Sequence, residues 1–212
     1  MPVEEPQRCG LVAVLGAPNA GKSTLVNALV GQKVAIVSPK AQTTRARLMG
    51  IAIEASSQIL LVDTPGIFAP RRRLDRAMVQ AAWEGAEHAD RVLVVVDAAA
   101  KLGERVEQVL QGVEARPEPK LLVLNKVDIA KKEDLLVFAA RLAERLQPEA
   151  VFMTAATSGD GVADLKTHLA KAMPEGPWHY PEDQLSDATD RMVAAELTRA
   201  QLYLQLQAEL PY

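Results

Sequence analysis

Residues 16–23 have the sequence Gly16-Ala17-Pro18-Asn19-Ala20-Gly21-Lys22-Ser23, which matches the pattern GxxxxGK[ST]. The stretch follows a short apolar run and precedes a helical segment, which is the context that this pattern requires. Its glycines let the backbone approach an anion closely, and a helix N-terminus supplies partial positive charge. Lys22 can reach the β- and γ-phosphates, and the Ser23 hydroxyl can coordinate magnesium. The stretch therefore predicts a loop that binds the phosphates of a nucleotide.

Short apolar runs alternate with helical segments on both sides of this loop. The runs are rich in Val, Leu and Ile and lack period-2 alternation, as expected for buried strands of a parallel sheet. We predict strands at Leu11–Leu15, Leu48–Glu54, Ile59–Val62, Val92–Val96, Leu121–Leu124 and Ala150–Met153. We predict helices at Ser23–Val30, Leu74–His88, Gly103–Ala115, Lys131–Arg145 and Val162–Ala172. Residues 1–173 should thus form an α/β domain: a doubly wound, mostly parallel six-stranded sheet with helices on both faces and one antiparallel hairpin at an edge.

A second motif, Asn125-Lys126-Val127-Asp128, follows the buried run Leu121–Leu124. A carboxylate at Asp128 can accept hydrogen bonds from N1–H and N2–H₂ of guanine, whereas adenine offers no such pair of donors. Asn125 can connect this loop to the phosphate loop, and the stem of Lys126 can cover a face of the base. The motif therefore predicts that the nucleotide is GTP rather than ATP.

The third element is Asp63-Thr64-Pro65-Gly66, directly after the run Ile59–Val62. In this position Asp63 can hold magnesium through water, and the Gly66 N–H can sense the γ-phosphate. The segment Gly31–Arg47 contains Thr43 and Thr44, and we expect one of the two to coordinate magnesium only while GTP is bound. Both remain candidates, with Thr44 favoured.

The character of the sequence changes after residue 173. Prolines and a glycine predict a linker over residues 174–187. A helix follows over residues 188–212, with an apolar stripe at Val193, Leu197, Ala200 and Leu204. A single helix cannot bury its own stripe, so we expect it to fold back on the first domain or to begin a second domain that this chain lacks.

Composition excludes several classes of protein. The chain has 212 residues, 49% of them hydrophobic, and a formal net charge of -3, so it is neither disordered nor a strongly basic nucleic-acid-binding chain. Cys9 is the only cysteine, which excludes an internal disulfide and favours the cytoplasm. No apolar stretch reaches the roughly 18 residues of a membrane span, while peripheral attachment to the inner face of the cell membrane stays open.

The nucleotide motifs resemble those of translation-factor-class GTPases, and longer stretches resemble the Era family of bacterial GTPases. These stretches are PNAGKSTLVN at residues 18–27, KAQTTR at residues 40–45, and the tail at residues 181–183, 189–191 and 208–212. The resemblance covers Gly10–Tyr212. It implies a P-loop GTPase that hydrolyses GTP to GDP and phosphate with magnesium, acts as a monomer, and serves assembly of the small ribosomal subunit with 16S rRNA as partner.

The resemblance also implies roles for individual residues. Thr44 matches the threonine that completes the magnesium shell, and Asn19 marks family members in which potassium replaces an arginine finger. Ile67 stands where many GTPases have a glutamine that orients the attacking water, so we expect slow hydrolysis that potassium stimulates. The expected catalytic residues are Lys22, Asn19, Thr44 and Gly66, and the expected magnesium ligands are Ser23, Thr44 and Asp63. The expected nucleotide-binding residues are Gly16, Pro18, Asn19, Ala20, Gly21, Lys22, Ser23, Thr24, Asp63, Gly66, Asn125, Lys126, Asp128, Ala155 and Ala156.

Two departures from the family pattern stand out. The last guanine loop usually contains Ser-Ala, whereas this chain has Ala155 and Ala156 there; the backbone N–H of Ala156 can still contact the base, and the missing hydroxyl can loosen the loop. The core of the family's RNA-binding KH domain does not follow, so residues 188–212 match only its first helix, and we expect contacts with 16S rRNA mainly outside this chain.

Two other functions stay open at this stage. One is a GTP-gated scaffold or membrane-surface adaptor with incidental hydrolysis, and the other is a related GTPase of tRNA modification or large-subunit assembly. The presence of every expected catalytic residue favours hydrolysis over a scaffold. A cluster of basic residues is better explained as the solvent-exposed start of a helix than as an RNA-binding surface. Its members are Arg71, Arg72, Arg73 and Arg76.

Overall fold

A computed structural model describes residues 6–35, 37, 48–67, 79–80, 82–84, 87–100, 103–188, 195 and 198. Six strands form one sheet in the order β2-β3-β1-β4-β5-β6. The strands are β1 (Arg8–Gly16), β2 (Leu48–Glu54), β3 (Ser57–Asp63), β4 (Arg91–Asp97), β5 (Lys120–Asn125) and β6 (Ala150–Thr154). All neighbouring pairs are parallel except β2 and β3, which form an antiparallel hairpin at the edge. The predicted α/β fold and its edge hairpin are confirmed.

Helices cover both faces of this sheet. They are α1 (Lys22–Val30), α2 (Glu104–Glu114), α3 (Lys132–Leu146) and α4 (Val162–Ala172). Leu25 of α1 and Leu165 of α4 are buried in one core cluster, and Leu110 of α2 and Leu142 of α3 are buried in another on the opposite face. Of the predicted helix Leu74–His88, residues 79–80 and 82–84 are helical, and most of the remainder lies outside the described residues. Helices thus cover both faces of the sheet, as predicted. The carboxyl ends of the strands are left available for a ligand-binding site.

The predicted linker at residues 174–187 packs along β2 and β3. The Ile51 N–H donates to the Leu185 carbonyl over 2.8 Å, and the Trp178 indole N–H donates to the Ser56 carbonyl over 3.0 Å. Trp178 and Tyr180 pack against an apolar patch of the sheet whose buried members are Cys9, Met49, Ile51, Leu60 and Val62. This segment is therefore bonded to the nucleotide domain rather than being a free tether. The predicted helix over residues 188–212 lies outside the described residues except at 188, 195 and 198.

Candidate functional site

The sequence motifs meet at one edge of the sheet, where the parallel strands end. Asp63 closes β3 next to Val14 of β1, and Asn125 closes β5 between Asp97 of β4 and Thr154 of β6. Parallel strands bring their carboxyl ends to the same edge, which is where open α/β sheets bind ligands. Residues far apart in sequence therefore share one site.

The phosphate loop connects β1 to α1, and its two motif glycines are sterically required. A Cβ at Gly16 would collide with the Val95 carbonyl oxygen, and one at Gly21 would collide with the Asn125 side chain. Gly21 also has a φ of 93°, in the left-handed region that side chains disfavour. The loop can take this shape only with glycine at both positions, and it delivers residues 22–24 to the first turn of α1.

The Lys22 side chain is buried inside this loop. Its Nζ donates to the carbonyl oxygens of Gly16 (3.2 Å) and Ala17 (3.1 Å). Burial lowers the pKa of Lys22 from 10.5 to about 8, because desolvation disfavours the charged form more than nearby Asp63 favours it. The ammonium is therefore held by backbone carbonyls in a position where an anionic phosphate would stabilise its charge.

Ser23 and Asp63 place two oxygen donors side by side. The Ser23 hydroxyl donates to Asp63 Oδ2 over 2.7 Å, and Asp63 is fully buried. A hydroxyl and a carboxylate are hard oxygen ligands, which magnesium prefers. The described residues contain no group of three or more His, Cys, Asp or Glu that could hold a metal by themselves. The pair therefore fits magnesium that is also bound by water and phosphate oxygens.

Residues 63–66 pass directly over the phosphate loop. The buried Thr64 hydroxyl donates to the Val14 carbonyl over 2.7 Å, and a Cβ at Gly66 would lie 2.7 Å from Pro18 N. The next residue, Ile67, is 3% exposed and its N–H donates to the Gly16 carbonyl over 3.0 Å. These contacts hold the Gly66 backbone against the loop, and they place the apolar Ile67 side chain in the core.

Asn125 joins the base loop to the phosphate loop, as the sequence predicts. It is 2% exposed, and its Nδ2 donates to the Ala20 carbonyl over 3.1 Å. Its Oδ1 accepts hydrogen bonds from the Thr154 hydroxyl and the Ala156 N–H, each over 3.1 Å. The N–H that the sequence analysis assigns to the base thus donates to Asn125 in this structure, and its contact with guanine stays a prediction.

Lys126 of the base motif also contacts the phosphate loop. Its Nζ donates to the Asn19 carbonyl and to Asp97 Oδ2, both over 2.6 Å. Asp128 is exposed two residues later, so its carboxylate is accessible to a ligand. Asp97 is a site residue that was not predicted from the sequence, although it is the first polar residue after the buried run Val92–Val96 and lies at the same sheet edge as Asn125.

Several predicted residues lie outside the described part of the chain. They are Thr43, Thr44 and the basic cluster Arg71, Arg72, Arg73 and Arg76. Within the described part, no helix has the length and apolar character needed to cross a membrane.

Comparisons with known proteins find relatives of the chain at the level of sequence and of fold. A family model described as "50S ribosome-binding GTPase" matches residues 11–126. The GTPase Era of Erythrobacter litoralis is 61% identical over 213 residues, which cover 99% of this chain and 70% of the relative. The GTPase Era of Afipia carboxidovorans is 59% identical over 214 residues, with coverage of 100% and 70%. A crystal structure of Era with MgGDPNP and nucleotides 1506–1542 of 16S ribosomal RNA matches with a TM-score of 0.89 and 34% identity, over 97% of this chain and 70% of that one.

Proposed function

The chain belongs to the Era family of GTPases, and from this premise we propose that it is a GTP-hydrolysing switch in the assembly of the small ribosomal subunit, with 16S rRNA as its partner. One observation carries the proposal: the Asn125 side chain bonds the phosphate loop to the loop that bears Asp128. In this proposal, phosphate recognition and guanine recognition are parts of one connected site. We assign the small ribosomal subunit as the partner because the matching Era structure was solved with 16S rRNA. That match is far more specific than the broad family description, which mentions 50S.

Lys22, Ser23 and Asp63 carry the phosphate chemistry in this proposal. Water attacks the γ-phosphorus, the bond to the β–γ bridging oxygen breaks, and GDP and inorganic phosphate leave. The Lys22 ammonium neutralises charge that develops on the phosphate oxygens, and the Gly66 N–H donates to the γ-phosphate. Ser23 and Thr44 would hold magnesium, and Asp63 would hold it through water; the ion would neutralise phosphate charge when bound. The burial of the Lys22 ammonium, whose charge the nearby Asp63 carboxylate favours, supports these assignments.

Guanine specificity rests on Asp128. Its carboxylate accepts two hydrogen bonds from the base. Lys126 donates hydrogen bonds to Asp97 and the Asn19 carbonyl, and its stem covers a face of the base in this proposal. The same Lys126 contact ties the base loop to Asn19 of the phosphate loop, so guanine binding and phosphate binding stabilise the same conformation.

We further propose that potassium stimulates a slow intrinsic reaction. Ile67 cannot orient water, because it has no polar side-chain atom and is buried in the core. Asn19 lies within the predicted phosphate loop with a φ of 63°, and a monovalent cation at this position would neutralise charge between the β- and γ-phosphates. GTP turnover should be faster in potassium than in sodium, and Asn19→Ala should lose this difference. Equal rates in the two salts would reject the role of potassium while leaving the GTPase assignment intact.

The proposal as a whole is tested by phosphate release. We expect the 212-residue chain to hydrolyse GTP and not ATP, and to turn over faster when purified small ribosomal subunits are added. Failure to hydrolyse GTP would reject the enzymatic function, and stimulation by large subunits alone would reject the proposed partner.

The chain matches 70% of the length of its relative from Erythrobacter litoralis. We propose that contact with RNA depends mainly on the part of the relatives that this chain does not match. A 16S rRNA fragment should therefore bind the chain more weakly, and with a shallower salt dependence, than it binds a relative of full length. Filter binding across a salt series measures both quantities. Equal affinity would move the RNA site into the nucleotide domain, with residues 71–76 as first candidates.

We propose that the protein acts as a monomer in the cytoplasm, with membrane association confined to peripheral contact.

A further inference from the structure

Helix α3 exposes apolar side chains on the side that faces away from the core. Leu136 is 73% exposed and Val137 is 72% exposed. Both belong to a run of six consecutive apolar residues at positions 135–140, of which Leu135 and Ala139 are buried. A surface helix is normally polar on its solvent side, so a run of apolar residues that continues onto that side indicates a function.

Exposed apolar surface is concentrated at this helix. In the described ranges, the large hydrophobic residues that are more than half exposed are Leu136, Val137 and Ile129, which precedes the helix by three positions. The exposed valines elsewhere in these ranges, Val37 and Val151, are 38% and 39% exposed. Single exposed apolar residues are normal in proteins, whereas adjacent ones mark sites of interaction.

An acidic residue lies at each end of this apolar surface. Residues three or four positions apart in a helix are neighbours, so Glu133 adjoins Leu136 and Val137, and Glu144 adjoins Ala140. All five residues are exposed. We call these five residues the α3 face.

The two glutamates of the α3 face are unmatched, unlike the acidic residues on the neighbouring helix. Glu107 and Glu114 of α2 both form ion pairs with Arg145 of α3. Glu133 and Glu144 form no ion pair with any residue that the structure describes. An apolar surface between two unmatched carboxylates is complementary to apolar residues that are flanked by basic ones.

Charge argues against three other occupants of the α3 face. A two-fold axis between two copies of the chain would place Glu133 opposite Glu144 if the helices were antiparallel, and each glutamate opposite itself if they were parallel. Like charges that face each other weaken an interface. The glutamates would also repel the phosphates of RNA. Residues 178–212 of this chain contain six acidic residues and two basic ones, so their charge has the wrong sign as well.

We propose that the α3 face is a docking site for a basic amphipathic helix of a protein partner. Glu133 and Glu144 are eleven residues apart, which corresponds to about 16 Å along a helix. A partner helix that lies alongside α3 therefore carries two basic residues at about this separation, with an apolar stripe between them. Lys132 and Arg141 lie about a quarter turn from the centre of the α3 face, so they restrict the partner's basic residues to the line of the glutamates. The proposal does not depend on GTP hydrolysis.

The experiment uses two synthetic helical peptides as probes. The first has a leucine stripe with two lysines eleven positions apart at its ends, and the second has the same composition with the lysines on the opposite side. Fluorescence anisotropy measures their affinity for the whole 212-residue protein. We expect the first peptide to bind at least about tenfold more tightly than the second, because only its lysines can reach the glutamates.

The apolar part of the α3 face is tested by a double substitution, Leu136→Gln with Val137→Gln. We expect it to weaken binding of the first peptide about tenfold, since buried apolar contacts at the centre of an interface carry most of its binding energy. GTP turnover and the melting temperature should stay at their wild-type values, because both side chains are exposed and glutamine is a good helix former.

The charged part is tested by Glu133→Lys, with Asp164→Lys as its matched control. Both residues are exposed acids in the first turn of a helix, so the two substitutions change the net charge and the interaction with the helix dipole alike. We expect Glu133→Lys to weaken binding of the first peptide about fivefold and Asp164→Lys to weaken it less than about twofold.

The proposal is overturned if the two peptides bind equally or not at all, if the double substitution leaves the affinity unchanged, or if Asp164→Lys weakens binding as much as Glu133→Lys. If the doubly substituted protein does not fold, the comparison of Glu133→Lys with Asp164→Lys decides. Light scattering tests self-association, and a dimer that disappears with the double substitution would assign the α3 face to a second copy and overturn the proposal. A loss of affinity for 16S rRNA with the double substitution, at unchanged peptide affinity, would assign it to RNA and overturn the proposal too.

Discussion

The buried ammonium of Lys22 should make the stability of the nucleotide-free protein depend on pH. The perturbation is Lys22→Met, which keeps an unbranched side chain and removes the charge. In the structure the pKa of Lys22 falls from 10.5 to about 8, because burial outweighs the favourable field of Asp63. The charged form is therefore less favourable in the folded protein than in the unfolded chain.

The sign and size follow from these two pKa values. A lysine whose pKa is lower in the folded state binds its proton more weakly there, so the charge destabilises the fold fully below about pH 8, and the penalty disappears as the pH rises through 10.5. Between about pH 7 and about pH 9.5, the wild-type protein should gain about 2 kcal/mol of unfolding free energy relative to Lys22→Met.

Urea unfolding of both proteins without nucleotide measures this gain. Titrating groups that do not interact with Lys22 behave alike in the two proteins, so their contributions cancel in the difference. A difference in unfolding free energy that stays constant between the two pH values would refute the reasoning. Saturating GTP should also reduce the gain, because phosphate oxygens beside the ammonium raise its pKa again.

Two further substitutions test the base and γ-phosphate contacts. Asp128→Asn replaces a double acceptor by one acceptor and one donor, so competition assays should show weaker GTP binding and a gain of xanthosine triphosphate binding; an unchanged preference for GTP would remove Asp128 from the base contact. Gly66→Ala would place a methyl group 2.7 Å from Pro18 N, so the loop must move away, and steady-state assays should show GTP turnover reduced by about tenfold to a hundredfold. Affinity for GDP should change by less than about threefold, and an equal loss for GDP would argue against a γ-phosphate role.

The phosphate loop, the sheet and the base motif could be predicted from sequence because their information is local. Gly16 and Gly21 are required by backbone geometry, and Lys22 and Ser23 follow at fixed spacing from the helix start. Strand runs without alternation indicate burial on both faces, which a parallel sheet with helices on each side satisfies. The connection from Asn125 to the phosphate loop was also predictable, since both ends belong to motifs of known chemistry.

Contacts with segments that are distant in sequence and carry no motif could not be predicted in this way. The run of prolines after residue 173 correctly indicates the end of a helix, but not that the Leu185 carbonyl bonds to Ile51 at the edge of the sheet. Such a contact depends on which strand lies at the edge and which of its backbone groups lack a neighbour. Neither property is visible in the sequence of the segment itself.

The nucleotide chemistry can thus be predicted from local motifs, because each motif carries its function in a few residues whose spacing is set by one loop or one turn of helix. The contacts that hold these motifs in place depend on the packing of the whole domain. This packing paired Lys126 with Asp97 and Asn19, placed Ile67 in the core, and bonded the Asn27 side chain to the backbone of Val34 and Ala35. The physical reason is that a polar side chain near a site can satisfy its hydrogen bonds with many partners, and strand order, register and helix packing select the one that is within reach.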